Sequence, residues 1–175
     1  MFVADDQVIY SASDLAAASR CEYALLRAFD AKLGRGPAVE ADDDELLRRT
    51  AELGDAHEQR TLEEFVERYG DGVVRIGRPA YTLAAFQAAA RATAEAFERQ
   101  PAVVYQAALF DGRFVGFADF VVADGVGYRV LDTKLARRAK IAALLQVAGY
   151  ADALRAMGVH VAPTAGLILG DRSVV

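Results

Sequence analysis

Asp132 and Lys134, separated by Thr133, follow a strand-like run at residues 127–131, and a second acid, Asp119, closes the stretch Val115, Gly116, Phe117, Ala118 on the run before it. On an extended strand alternate side chains share a face, so Asp132 and Lys134 point one way and Thr133 the other. A carboxylate and an ammonium then share a face beside another acid. Two carboxylates near strand ends suit Mg²⁺ or Mn²⁺, hard ions that take oxygen ligands and keep several waters. Such an ion polarises a phosphoryl group and stabilises charge in the transition state. A lysine at that spacing can hold or help deprotonate the attacking water, or offset charge on the phosphate. These are the requirements of phosphodiester hydrolysis. The plainer reading of Asp132 and Lys134 is a surface ion pair, worth about 0–1 kcal/mol.

Further residues have types that suit such a site. Gln146 and Tyr150 are neighbours on one helical face. They lie off the stripe of Ile141, Leu144, Leu145 and Ala148, which is expected to pack on the sheet. An amide and a phenol there can bind phosphate or steer a ligand. His57 sits about a third to half a turn from the stripe of Leu62, Phe65, Val66 and Tyr69, with Gly54 one turn earlier allowing close approach. Imidazole joining two acids biases a site toward Mn²⁺. Taken alone, His57 is a surface or core histidine, and Glu58, nearer the apolar stripe, a supporting partner, a salt bridge or a further ligand. Arg137, Arg138 and Lys140 form a basic cluster at the expected start of a helix, where positive charge opposes the helix dipole. Phosphate contact explains that placement, as does a solvated basic turn.

The elements that carry these residues follow from punctuation and pattern. Ser13 is read as the N-cap of a helix over 15–30. Residues 41–45 are an acidic run at the start of a long helix over 44–69, with a bend near Gly54. A short strand over 73–76 and an Ala-rich helix over 82–100 follow, the latter stopped by Pro101. Residues 103–110, 113–123 and 127–132 are strands joined by the turns Asp111-Gly112 and Asp124-Gly125. A helix over 137–157 and a strand over 164–169 complete the order. From residue 44 the core reads helix, strand, strand, strand, helix, strand, with the short strand and Ala-rich helix inserted. With no internal repeat or low-complexity linker, one domain is expected over residues 1–175: an N-terminal helical segment at 1–40 and a core at 44–170.

Bulk properties set limits. The 175 residues suffice for a real core, and 54% hydrophobic with 26% charged residues is the balance of a soluble globular chain. The formal net charge of −5 argues against a uniformly basic, non-specific nucleic-acid binder, but not against a local basic groove. Cys21 is the single cysteine, which excludes an internal disulfide and fits a cytoplasmic location. No apolar run approaches the roughly 20 residues of a membrane span. Asp5 and Asp6 without a basic flank do not read as a secretion signal.

Gly54/His57 on an early helix, Gly116/Asp119 on the second strand, Asp132/Lys134 on the third and Gln146/Tyr150 on the next helix resemble the RecB-like branch of the PD-(D/E)XK nuclease superfamily. Each motif is weak alone; their order and placement over about residues 44–170 are what is specific. The resemblance implies an α/β, restriction-endonuclease-like core, a mixed four-stranded sheet flanked by helices. It also implies Mg²⁺- or Mn²⁺-dependent DNA cleavage, as an exonuclease in repair or recombination, with a helicase or further domains as partners. By that likeness His57, Asp119 and Asp132, with the Thr133 carbonyl, hold metal. Lys134 is then catalytic, and Gln146 and Tyr150 organise the site. Relatives in that branch often carry an iron–sulfur cluster on four cysteines. Residues 11–23, with Cys21, resemble the segment bearing the first of these. The other three have no counterpart, so either this lineage lacks a cluster or the chain is a piece of a longer protein, and no cluster is expected on Cys21 alone. A catalytically silent DNA-binding or scaffolding module is the alternative from a different class.

Overall fold

The computed structural model describes residues 1–4, 7–37 and 45–175; Asp5, Asp6 and the expected acidic run up to residue 44 lie outside the described residues. The chain opens with β1 (Phe2–Ala4), β2 (Gln7–Ser11), α1 (Ala12–Arg20) and α2 (Glu22–Lys32). Then come α3 (Glu45–Tyr69), a 3₁₀ turn at Gly70–Gly72, β3 (Val73–Arg75) and α4 (Leu83–Glu98). The last elements are β4 (Val103–Phe110), β5 (Phe114–Ala123), β6 (Tyr128–Lys134), α5 (Ile141–Ala156) and β7 (Gly166–Leu169).

The expected mixed sheet flanked by helices is present, and it is wider than four strands. Among the described residues seven strands join: β4, β5 and β6 are antiparallel neighbours, while β3 runs parallel to β4, β7 to β6 and β2 to β5. The two Asp-Gly turns form as their chemistry dictates. Asp111 Oδ1 accepts from the N–H groups of Arg113 (2.8 Å) and Phe114 (2.7 Å), and Asp124 Oδ1 from Val126 and Gly127 (both 3.1 Å).

Alternation along the strands sends successive side chains to two separate cores. Val104, Val121, Val130 and Leu167 pack with α4 and α5 residues such as Ala89, Val147, Tyr150 and Leu154. Their chain neighbours Val103, Phe120, Leu131 and Ile168 pack with Leu62 and Phe65 of α3. The sheet is therefore covered on both faces.

Several sequence expectations are corrected. Ser11, not Ser13, caps α1: its N–H and hydroxyl both donate to Asp14 Oδ2 at 2.7 Å, a cap two residues earlier than expected. The single helix over 15–30 is two, because Cys21 takes an extended backbone and caps α2. α3 runs without a break through Gly54. A side chain at Gly54 would meet nothing within 4 Å, so no close approach explains that glycine in the chain alone. α5 begins at Ile141, with Lys140 as its N-cap, so Arg137 and Arg138 stand exposed in the preceding loop rather than in its first turn. Apolar residues run right around α5, so spacing alone does not choose its buried face. Ala143, Val147, Tyr150, Ala151 and Leu154 go in, whereas Ile141 (73% exposed), Leu144 and Leu145 of the expected packing stripe stay out.

Candidate active site

The site lies where β5 and β6 part. Phe120 opposite Leu131 is the last ladder pair between them, so Asp119 and Asp132 occupy the next position, facing each other across the opening. On the same edge of β5, β2 pairs only with Phe114 and Val115. Residues 116–119 are thus free of a strand partner on that side. On the other edge, the pairs Tyr105–Phe120 and Ala107–Ala118 put Gln106 across from Asp119. Gln106, Asp119 and Asp132 form one row across three strands.

Side chains fill the opening. Asp119 Oδ2 accepts from the Thr133 N–H and hydroxyl, each at 2.8 Å, replacing the lost ladder with side-chain bonds. Asp132, 1% exposed, pairs through Oδ2 with the Lys134 ammonium, itself one-third exposed. The lysine thus turns to the acids while its end still reaches solvent. Asp132 Oδ1 accepts from Gln146 Nε2 at 3.3 Å, and the same amide lies 2.9 Å from the Tyr150 hydroxyl. Gln146 and Tyr150 are therefore brought to Asp132, as their spacing suggested. Tyr150 is also a core residue, so packing does account for part of it. Gly116 has a clear reason: a Cβ there would stand 2.6 Å from Tyr150 Cε1. Only a glycine lets that ring lie on β5.

His57 does not join this row. It is buried, with Nε2 3.2 Å from the Ile168 carbonyl oxygen, tying α3 to β7. It lines a cavity that neither Asp119 nor Asp132 borders. Its neighbour Glu58, about 100° further round the helix, faces the acids instead. The Glu58 carboxylate accepts from Gln106 Nε2, which also lies 3.5 Å from Asp119 Oδ1, and from the Tyr105 hydroxyl.

Gln106 escaped sequence reasoning. It is buried, its Oε1 has no hydrogen-bond partner among the described residues, and its backbone is left-handed at φ 54° in mid-strand. Such a conformation costs about 1–3 kcal/mol in a residue other than glycine and concentrates at functional sites. Nothing in a lone glutamine within an apolar run announces it.

The electrostatics are those of acids confined together. Burial, then the charge of Asp132, pushes the Asp119 carboxyl up to about 6. Burial also raises Asp132, against the pull of Lys134. Glu58 is raised by burial and then by Asp119. Burial pushes the Tyr105 phenol up to about 12 and the Tyr150 phenol higher still. Among the described residues no group of three His, Cys, Asp or Glu side chains converges as a ready metal cage. Each acid is instead held by an internal donor: Lys134, Thr133 or Gln106. The donor chemistry nevertheless fits a hard dication, being carboxylate oxygens plus a buried amide oxygen with no proton to accept.

Residues 10–170 match the family model of the PD-(D/E)XK nuclease superfamily. No curated protein and no solved structure matches the chain. The family match spans nearly all of the chain and takes in every element from α1 to β7: the chain belongs to the PD-(D/E)XK nuclease superfamily.

Proposed function

We propose that the protein is a nuclease of RecB-like type that hydrolyses DNA phosphodiester bonds with Mg²⁺ or Mn²⁺, acting as an exonuclease in repair or recombination. The observation that carries the reading is the opening between β5 and β6, with Asp119 and Asp132 facing across it and Lys134 beside them. Superfamily membership supports nucleic acid as the substrate and a divalent metal as the cofactor. The choice of DNA, of exonuclease action and of pathway extends the RecB-like likeness of the four motifs. The exposed, unpaired Cys21 fits a cytoplasmic setting, and among the described residues no helix is long and apolar enough to cross a membrane.

In this reading Asp119 and Asp132 hold the metal, joined from α3 by Glu58, with the Thr133 carbonyl adjacent. When bound, the ion supplies a positive counter-charge to the phosphate and a more acidic water. Lys134 leaves Asp132 to hold the attacking water. Gln146 and Tyr150 fix the orientation of Asp132, and Thr133 that of Asp119. Gln106 keeps Glu58 and Asp119 together despite their like charge. Arg137, Arg138 and Lys140, exposed just beyond Lys134, contact the nucleic-acid backbone.

The test is cleavage of a labelled oligonucleotide with Mg²⁺, with Mn²⁺ and with EDTA. The expected result is metal-dependent cutting that falls at least about a hundredfold in Asp132→Ala and in Lys134→Ala, as for loss of a group acting on transition-state charge. DNA binding without cutting, unchanged in Asp132→Ala, would leave a binding module instead.

A further inference from the structure

A second feature lies on the α3 face. A cavity of about 570 Å³ runs between α3 and the sheet, in the size range of small-ligand sites. Arg60, Arg68, Arg129 and Arg172 all line it, with Glu64 as the only carboxylate side chain among the described residues there. Four guanidiniums against one acid contrast with a chain of net charge −5. Glu64 is taken up by Arg172. Among the described residues Arg60 pairs with no acid; its Nε donates to the Ala56 carbonyl at 3.0 Å. Arg68 lies over the Tyr69 ring at 5.5 Å. Arg129 pairs with Asp124 through Nη2 at 3.2 Å, while its buried Nε has no partner among the described residues. The cavity therefore has surplus positive charge. Its floor is apolar, formed by Leu131 and Ile168, with Tyr69 at the side.

The position is as informative as the charge. Leu131 on the floor directly precedes Asp132, and His57 on the wall directly precedes Glu58. The cavity therefore lies on the α3 face of the sheet, while Asp132 points to the α5 face through Gln146; α3 links the two, with Glu58 turned to the acids and His57 to the cavity. Arg60 and Arg68 are eight residues apart on α3, about 12 Å along the axis, roughly two phosphate spacings of an extended strand.

We propose that this cavity holds a short stretch of single-stranded nucleic acid on the α3 side of the acids, with phosphates on Arg60 and Arg68 and a base against the apolar floor and Tyr69. This rests on the nuclease reading for its substrate. The single-strand preference comes from the shape: a paired, stacked base cannot enter a concave apolar wall, whereas an unpaired one can stack there. A guanidinium row supplies the phosphate contacts, and an aromatic ring accepts any base.

The experiment measures binding of a fluorescent single-stranded oligonucleotide, and of the same sequence as a duplex, to the full chain in EDTA. The variants are Arg60→Ala/Arg68→Ala and Arg60→Lys/Arg68→Lys; both arginines are exposed, and thermal melts verify the fold. The alanine pair is expected to lose at least about tenfold in single-strand affinity, and its salt slope to fall by about two. The lysine pair keeps the slope, and the duplex binds more weakly and changes less. Unchanged single-strand affinity in the alanine pair would overturn the proposal, as would equal losses for strand and duplex. A mononucleotide is expected to displace the oligonucleotide well below the concentration of inorganic phosphate needed. Equal displacement by phosphate would reduce the cavity to a simple anion site and overturn it too. Cleavage is scored separately. Arginine-dependent strand binding without metal-dependent cutting keeps this proposal and removes the nuclease reading. Cutting with arginine-independent binding does the reverse.

Discussion

Two carboxylates facing each other in a partly dry opening ionise at a cost, and that cost has a measurable sign. Asp119 is raised from its ordinary 3.8 to about 6, by burial first and by Asp132 second. A raised folded-state value means that the native protein holds the proton more tightly than the unfolded chain does. The associated stability is complete below about 3.8 and lost as pH rises to about 6. Without metal, thermal melts are expected to fall over that window, and the slope to be smaller in Asp119→Asn; a wild-type slope in that variant would remove Asp119 as its source. Gln106 makes a second prediction at this scale. Its amide bridges Glu58 and Asp119, while its backbone is held left-handed. Gln106→Ala and Gln106→Gly should both lose about tenfold or more in cleavage, but Gly should melt above Ala, since glycine carries little penalty at φ 54°. Equal melting of the two would count against strain there. Asp119, Asp132, Lys134, Gln146 and Tyr150 could be read from the sequence because strand alternation and helical spacing bring them together. Gln106 could not, since it depends on a local backbone twist without a residue signature. Glu58 could be weighed only alongside His57, because which side of α3 meets the sheet decides between the two.

At the scale of elements, α5 and β5 meet through a single missing side chain. Tyr150 lies where a Gly116 Cβ would stand, 2.6 Å from Cε1. Gly116→Ala should therefore displace Tyr150 and Gln146, at about 1–3 kcal/mol, and weaken cleavage with them. Gly54→Ala is the contrast: with open space around it in mid-helix, it should stabilise α3 by about 0.5–1 kcal/mol. Denaturant titration of the two variants tests the pair, and stabilisation by Gly116→Ala would contradict the packing described. Element boundaries were legible where punctuation is chemical, as at the two Asp-Gly turns and at Thr82, whose hydroxyl accepts from the Ala85 N–H at 3.2 Å. They were not legible where tertiary contacts decide. β1 and β2 are short strands recruited by pairing with each other and with β5. The buried face of α5 is selected by what fits against the sheet, because its apolar residues point every way.

At the scale of the whole molecule, two neighbouring regions divide the labour. In the proposed account the acid-rich opening between β5 and β6 takes a cation and the arginine-lined cavity under α3 an anion. α3 links them, with Glu58 turned to the first and His57 to the second. The central claim is that Asp119 and Asp132 form a dication site completed from α3 by Glu58. A crystal soaked in Mn²⁺ tests it most directly. The account predicts an anomalous peak between the carboxylates of Asp119 and Asp132, within reach of Glu58, with the Lys134 ammonium released from Asp132. A peak at His57 without Glu58 would restore the histidine to the ligand set, and no peak between the two aspartates would contradict the account.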